Sequence, residues 1–381
     1  MIIVHGIKLH TSESTELLTE KAERRLHLSK GSISSVKIVK ESIDAREKPE
    51  IYRVFSLGIS SEKPDPLLVR ACKKSGASWS EAKAREKAPA PIKNIPKDAL
   101  RPVIAGFGPC GMFAALALAE YGLCPIVLER GECMEKRVRA VEDFWNGGSL
   151  DPENNVQYGE GGAGTFSDGK LTTGTRSPWT GWILKAFVNA GAPEDILYLQ
   201  KPHIGTDILR TVVVNIRERI EELGGEVRFG CRLEEPDIEG GRICGAWYAK
   251  NASPGSAQNR VYIKTHCLVL ALGHSARDTV RALYDCGLYM EQKPFSMGVR
   301  IEHPQSLIDM AQYGALHQSL GIMPADYKLN VRTSAGRGVY TFCMCPGGYV
   351  VNASSQPGML VTNGMSNYKR DSGIANCALL A

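Results

Sequence analysis

From residue 100 onward, the chain alternates short apolar runs of strand length with longer stretches of helical periodicity. Val103 to Ala105 is one such run, and a second extends from Pro125 to Leu128. The residues between them begin with a glycine-rich turn and continue as a helix. This order of strand, turn, helix and strand predicts a parallel sheet with a helix packed on one face.

The same kind of pattern continues to about residue 286. Asp207 to Leu223 predicts a helix that a glycine pair ends, and a strand follows directly. Residues 243–248 and 261–263 predict a hairpin, and residues 266–272 predict another buried strand.

Different patterns flank this unit. Residues 1–86 contain three strand-like runs and one amphipathic helix, which predicts a small α+β domain, and residues 87–99 form a proline-rich linker. Residues 287–381 predict a mainly antiparallel β domain, in which Gly338 to Val351 forms a hairpin with a tight Pro-Gly-Gly turn. Residues 376–381 have the character of a helix interior, so we expect the chain to be a fragment.

The turn after the first strand has the spacing of a dinucleotide-binding site. Gly106 allows a sharp turn, Gly108 lets a pyrophosphate approach the backbone, and Gly111 lets the helix pack closely. The helix N-terminus adds unpaired N–H groups and a partial positive charge. Glu129, at the end of the second strand, can accept the hydroxyl hydrogens of an adenosine ribose. The predicted pyrophosphate-lining residues are Gly106, Gly108, Pro109, Cys110 and Gly111.

A second glycine-rich loop extends from Tyr158 to Lys170. Glycines at this density let backbone amides face a ligand, so the loop is a candidate for a second contact with the same cofactor. A plain flexible loop is the alternative.

The composition changes this picture little. Of the 381 residues, 43% are hydrophobic and 23% charged, as in ordinary globular proteins. The net charge of +5 does not favour nucleic acid, and no apolar run is long enough to cross a membrane. Eleven cysteines without a CxxC pair indicate reduced thiols and a cytoplasmic protein, and no motif indicates a metal site. Residues 1–86 are basic, either as a solvated face or as an RNA-binding surface.

Three features favour FAD over NAD as the cofactor. Arg130 and Gly131 follow the acidic residue, an ending that is common in flavoproteins. The second glycine-rich loop lies close in sequence, as an extended cofactor requires. The strand that ends at Gly273 arrives after a hairpin, whereas simple NAD dehydrogenases continue with regular βα units.

With these residues and several longer motifs, the chain resembles a bacterial family of FAD-dependent dehydrogenases or oxidoreductases without an assigned substrate. The motifs are SIDAREKPEI (42–51), GFGPCG (106–111), NVQYGEGGAGTFSDGKLTT (155–173), ALGHSARD (271–278), GVRIEHPQ (298–305), GVYTFCMCPGGYVVNASS (338–355) and VTNGMSNYKRDSGIANCALL (361–380). The resemblance covers essentially the whole chain.

The resemblance implies the fold class α/β, with three parts. A small α+β domain precedes a Rossmann-like FAD-binding domain over residues 100–286, and a mainly antiparallel β substrate domain over residues 287–381 is inserted into the latter. Members of that family continue much further, so we expect the FAD-binding domain to be incomplete and the β domain truncated here.

The resemblance also implies cofactor contacts beyond the first turn. The second loop would approach the pyrophosphate and the flavin, Leu233 the adenine, and Gly273 another part of the cofactor. Lys170 is a candidate for stabilising negative charge on the reduced ring, or else a structural lysine. These further cofactor-binding candidates are Glu129, Arg130, Arg137, Gly161, Gly162, Gly164, Thr165, Lys170, Leu233 and Gly273.

Cys343 and Cys345 are weak catalytic candidates. Two thiols this close could exchange electrons with a flavin, although disulfide reductases place a C-x4-C pair beside the first turn, where this chain has only Cys110. Side chains at alternate strand positions point the same way, so a bridge is sterically possible but strained. Buried structural thiols are the other interpretation. Arg300 and His303 are candidates for binding an anionic substrate, or else form an ion pair and a core histidine.

Three hypotheses for the function result. The first is a FAD-dependent oxidoreductase that transfers hydride between bound FAD and a small-molecule substrate or NAD(P)H. The second is a non-catalytic FAD-binding or redox-sensing protein. The third is a flavoprotein that acts with RNA through its basic N-terminal domain.

Overall fold

The computed structural model describes residues 1–61, 65–81, 87–175, 177–251, 259–315 and 321–381. The first elements are β1 (Ile2–His10), α1 (Leu18–Arg25), β2 (Ser35–Glu47), β3 (Glu50–Ser60), α2 (Asp65–Ser75) and β4 (Trp79–Glu81). Their strands form one antiparallel sheet in the order β2-β3-β1-β4. Burial alternates along β3, where Phe55, Leu57 and Ile59 are fully buried with residues of α1 and α2.

The central elements build a parallel sheet. They are β5 (Val103–Ala105), α3 (Pro109–Glu120), β6 (Ile126–Leu128), α4 (Met134–Trp145), α5 (Thr180–Asn189), α6 (Thr206–Glu222), β7 (Glu226–Arg228), β8 (Cys231–Glu239), β9 (Arg242–Lys250), β10 (Asn259–Lys264), β11 (Leu268–Leu270) and α7 (Arg277–Asp285). The sheet order is β11-β5-β6-β7, and every neighbouring pair is parallel.

Different elements pack against the two faces of the parallel sheet. Ile104 and Val127 pack against α3, α5 and α6 on one face. Val103 and Leu128 point to the other face, where they meet Tyr248 of the antiparallel sheet β10-β9-β8. Because both of their faces are buried, the two central strands β5 and β6 are apolar at every position.

The last elements are antiparallel. They are β12 (Gly298–Pro304), α8 (Gln305–Tyr313), β13 (Asn330–Arg332), β14 (Gly338–Cys345), β15 (Gly348–Asn352), β16 (Thr362–Ser366) and β17 (Ile374–Leu380). Four of the strands form a sheet in the order β12-β17-β14-β13, and β15 pairs with β16. The described chain is therefore mixed α/β, with one parallel and several antiparallel sheets, while the domain boundaries given above stay predictions.

The structure corrects two expectations for this region. The run Gly338 to Val351 is not a hairpin, because β14 pairs with β13 and β17 whereas β15 pairs with β16. The chain changes sheets at Gly347, whose φ is +54° and where a Cβ would lie 1.8 Å from the carbonyl oxygen of Arg370.

Residues 376–381 are not in a helix either. Residues 376–380 belong to β17, a central strand between β12 and β14. A short apolar run fits a buried helix or a buried strand equally well, and pairing on both edges decides for the strand here.

None of the helices in the described ranges is long and apolar enough to cross a membrane.

The N-terminal sheet gives a direct test of the packing. Leu57 is fully buried, whereas Leu67 on α2 is 49% exposed. We expect Leu57→Ala to lower the free energy of unfolding of this sheet by about 2–5 kcal/mol, because it leaves a cavity. Leu67→Ala, the control, should cost less than about 1 kcal/mol. Urea unfolding followed by circular dichroism measures both, and equal losses would contradict the assigned core.

Candidate cofactor site

A cavity of about 520 Å³ opens at the carboxyl ends of β5, β6 and β11. Parallel α/β sheets bind ligands at this edge. The cavity walls come from the first glycine turn, the second glycine-rich loop, the start of β8 and residues 270–276. The sequence-predicted residues that line it are Gly106, Gly108, Pro109, Cys110, Glu129, Arg130, Gly162, Gly164, Leu233 and Gly273.

The first turn requires glycine at two positions for steric reasons. Gly106 has a φ of +102°, and a Cβ there would lie 2.4 Å from the carbonyl oxygen of Ala271. A Cβ on Gly111 would lie 1.9 Å from the carbonyl oxygen of Gly106, so α3 can approach the strand end only without a side chain. Gly108 precedes α3, and among the described residues no side chain caps this helix. The free N–H groups at the start of α3 are therefore open to a ligand.

Glu129 holds the two glycine-rich loops together. One carboxylate oxygen accepts the N–H of Phe107 at 2.7 Å. The other accepts the N–H groups of Gly131 at 2.9 Å and Gly159 at 2.8 Å. The side chain is 4% exposed and lines the cavity. Glu129 thus has a structural role that its sequence position does not reveal.

Arg137 is a cofactor candidate that the structure places elsewhere. Its guanidinium is fully buried behind the second loop and donates to four carbonyl oxygens, those of Asn155, Val156, Glu160 and Gly162, at 2.5–3.0 Å. Burial lowers the pKa of Arg137 to about 10. The structure thus directs these donors of Arg137 to the loop backbone, and the residue does not line the cavity.

Four further candidates lie outside the cavity wall, namely Gly111 in α3, Gly161, Thr165 and Lys170. Gly161 and Thr165 support the loop from behind: a Cβ on Gly161 would lie 2.2 Å from Oγ1 of Thr165, which is fully buried. Lys170 forms an ion pair with Asp168 at 2.5 Å. Its ammonium group therefore points into a polar cluster with Arg370 and not toward the cavity.

An ion-pair network that the sequence analysis missed borders the cavity. Arg130 binds Glu153 at 3.0 Å and Asp278 at 3.0 Å, and its guanidinium lies 4.0 Å from the ring centroid of Tyr158. Arg232 reaches the same Glu153 at 2.6 Å. Burial raises the pKa of Glu153, while the two arginines oppose that rise. The network joins β6, β8 and α7, and no local spacing in the sequence indicates it.

Arg300 and His303, the candidates for an anionic substrate, already have partners. Arg300 donates to the carbonyl oxygen of Cys343 at 3.3 Å and to Oδ1 of Asn376. His303 contacts the hydroxyl of Tyr327 through Nε2 at 2.9 Å. Neither residue lines the cavity.

Removing the buried guanidinium tests the assigned role of Arg137. We expect Arg137→Met to lower the free energy of unfolding by at least about 3 kcal/mol, because each buried carbonyl left without a donor costs about 1–3 kcal/mol. Arg139→Met, on the exposed face of the same helix, is the matched control and should change it by about 0.5 kcal/mol or less. Thermal unfolding measures both variants. An Arg137→Met protein as stable as its control would contradict the assigned role.

Comparisons with known proteins identify related families and structures. Residues 294–381 match a family model described as FAD-dependent protein, C-terminal domain-like, and residues 1–60 match a domain of unknown function. Among solved structures, Thermovibrio ammonificans THI4 is 18% identical with a TM-score of 0.34, over 50% of this chain and 64% of that chain. The glycerol-3-phosphate dehydrogenase of Bacillus halodurans complexed with FAD is 12% identical with a TM-score of 0.36, over 74% of this chain and 47% of that chain.

This chain therefore spans less than two thirds of either solved structure, and likeness at this level does not bear on its activity. An uncharacterized protein of Clostridium beijerinckii is much more similar, with 45% identity over 380 residues, which cover 100% of this chain and 69% of that protein. Identity at this level across the whole chain shows that the protein belongs to the family of the Clostridium beijerinckii protein, and its residues 294–381 connect it to FAD-dependent proteins.

Proposed function

We propose that this protein binds FAD in the cavity at the strand ends and acts as a FAD-dependent oxidoreductase. The main support is that two glycine-rich loops meet at this one cavity. A Cβ on Gly162 would lie 2.8 Å from Cα of Gly108, so the loops are in backbone contact. The match of residues 294–381 to FAD-dependent proteins supports the same cofactor.

The residues present fit the parts of this cofactor. The open N-terminus of α3 and the side-chain-free Gly108 suit a pyrophosphate. Glu129 uses three of the roughly four acceptor positions of a carboxylate, which leaves one for a ribose hydroxyl. Leu233 offers an apolar wall for the adenine, and Arg130, held by Glu153 and Asp278, also lines the cavity.

FAD, when bound, would supply the hydride chemistry. The chain would bind and orient it, with the first turn and the second loop fixing the backbone amides on both sides. We further propose that the hydride partner is a small-molecule substrate or NAD(P)H, and that the protein is cytoplasmic, which suits eleven free thiols.

A side chain at Gly108 tests the location of the cofactor. The first atom of a side chain there would meet no heavy atom closer than Cα of Gly162 at 3.7 Å, and the backbone is extended. Gly108→Val should therefore fold but block the pyrophosphate. We expect its FAD affinity to fall about 100-fold, equivalent to about 2.7 kcal/mol. Gly174→Val, where the added atom meets open space, should bind FAD like the parent protein. Calorimetric titration distinguishes them, and unchanged FAD affinity in Gly108→Val would contradict the proposed site.

Anaerobic reduction tests the activity. We expect NADH or NADPH to bleach the absorption of the bound flavin in the FAD-loaded protein, because an oxidoreductase must admit a hydride donor to its cofactor. Stopped-flow spectroscopy measures the rate. Bound flavin that neither nicotinamide nor a panel of small alcohols and amines reduces would favour the non-catalytic alternative.

A further inference from the structure

We propose that Cys343 and Cys345 form a thiol–disulfide exchange pair that reduces a small-molecule disulfide, with Cys343 as the attacking thiolate and Cys345 as the resolving thiol.

The backbone of β14 brings the two thiols together. Its pairing with β17 is regular up to Phe342 and resumes at Cys345, so the strand bulges between them. Cys343 lies in this bulge with a φ of +48°, which a residue with a side chain rarely adopts. The thiol of Cys345 donates to the carbonyl oxygen of Cys343, with Sγ 3.5 Å from that oxygen. Both thiols are free.

Cationic groups from two other elements face the pair. Nζ of Lys170 lies 3.7 Å from Sγ of Cys345, and Nη1 of Arg300 lies 3.3 Å from the carbonyl oxygen of Cys343. Among the described residues, the other titratable groups around the pair are the carboxylate of Asp168, which Lys170 and Arg370 neutralise, and the thiol of Cys377 on β17. Positive charge beside a thiol favours the thiolate, which is the nucleophile in exchange.

The environments of the two thiols differ, and the difference assigns their roles. The hydrogen bond from Cys345, followed by Lys170 and Arg300, lowers the pKa of Cys343 below that of an ordinary thiol. The hydrogen bond to Cys343, together with burial, raises the pKa of Cys345. Cys343 is also partly exposed, whereas Cys345 is completely buried. An incoming disulfide therefore meets Cys343 first.

The side-chain amide of Asn376 is a buried donor near the cysteine pair. Asn376 lies opposite Cys345 in the β14–β17 ladder and is completely buried. Its Oδ1 accepts from Arg300, but its Nδ2 finds no partner among the described residues. A Cβ on Gly364 would come within 2.6 Å of both Oδ1 of Asn376 and Sγ of Cys345, so these two groups converge on one point. Asn376 thus leaves one buried amide N–H group unpaired on the strand that faces Cys345.

The exchange takes place in two steps, and each step forms one S–S bond and breaks another. The Cys343 thiolate attacks one sulfur of the incoming disulfide, forms a mixed disulfide and releases one thiolate. Cys345 gives its proton to that released thiolate and attacks the Cys343 sulfur. The Cys343–Cys345 disulfide closes and the second thiolate leaves. Two electrons pass from the two protein thiols to the small disulfide.

Reaction of the reduced chain with 4,4′-dithiodipyridine at pH 6, followed by mass mapping of peptides at early times, tests the pair. We expect Cys343 to react at least about tenfold faster than the exposed Cys286, because a lowered pKa keeps the thiolate present at lower pH. The peptide carrying both cysteines should then lose two hydrogens and retain no pyridyl group.

Variants separate the two steps. Cys345→Ser should trap the mixed disulfide on Cys343, and Cys377→Ser, the matched control, should still close the bridge. Lys170→Met should slow the reaction of Cys343 at pH 6 but not at pH 9, a pH dependence that a merely structural lysine would not produce. FAD affinity measured on the same samples keeps this outcome separate from that of the proposed function. A wild-type mixed disulfide that persists, or a Cys343 no faster than Cys286, would overturn the proposal.

Discussion

The carboxylate of Glu129 is the interaction on which the candidate site depends. It accepts N–H groups from Phe107 in the first turn, from Gly131 shortly after β6 and from Gly159 in the second loop. A charged acceptor of three amides is stronger than three neutral hydrogen bonds, and it acts here with almost no exposure to water. The cavity exists because this one side chain fixes two loops that are separated by some fifty residues of sequence.

Arg137 complements Glu129 from the opposite side of the second loop. The carboxylate of Glu129 accepts N–H groups on the cavity side of the second loop. The guanidinium of Arg137 donates to carbonyl oxygens on the other side of that loop. The loop continues to Asp168, where Lys170 and Arg370 lower the pKa of the carboxyl to about 2 despite its burial. Asn363 also donates to the carbonyl oxygen of Phe166. The loop therefore connects the cofactor cavity with the C-terminal strands, and the cysteine pair lies at the far end of this connection.

Local rules predicted the first turn well, because its spacing is set by contacts within one strand–helix unit. Gly106 and Gly111 stand where any Cβ would collide with backbone. The same rules did not indicate the backbone contacts of Arg137, because a basic residue after such a strand has the same sequence signature whether it faces a ligand or a buried loop. Only the folding of the second loop over α4 decides between them.

Long-range pairing explains the other failures. The apolar end of the chain is a strand because β12 and β14 lie on its two edges, and neither is adjacent to it in sequence. The predicted hairpin failed for a similar reason, since β15 finds β16 and not β14. The ion-pair network of Arg130 joins residues far apart in the chain and gives no local pattern.

The account rests on the claim that the cavity between the two glycine-rich loops is built for FAD. Calorimetric titration of the protein with FAD and, separately, with NAD⁺ tests it most directly. The account predicts saturable binding of one FAD per chain, with NAD⁺ binding much more weakly. Tighter binding of NAD⁺, or FAD binding that persists unchanged when Glu129 is replaced by alanine, would contradict it.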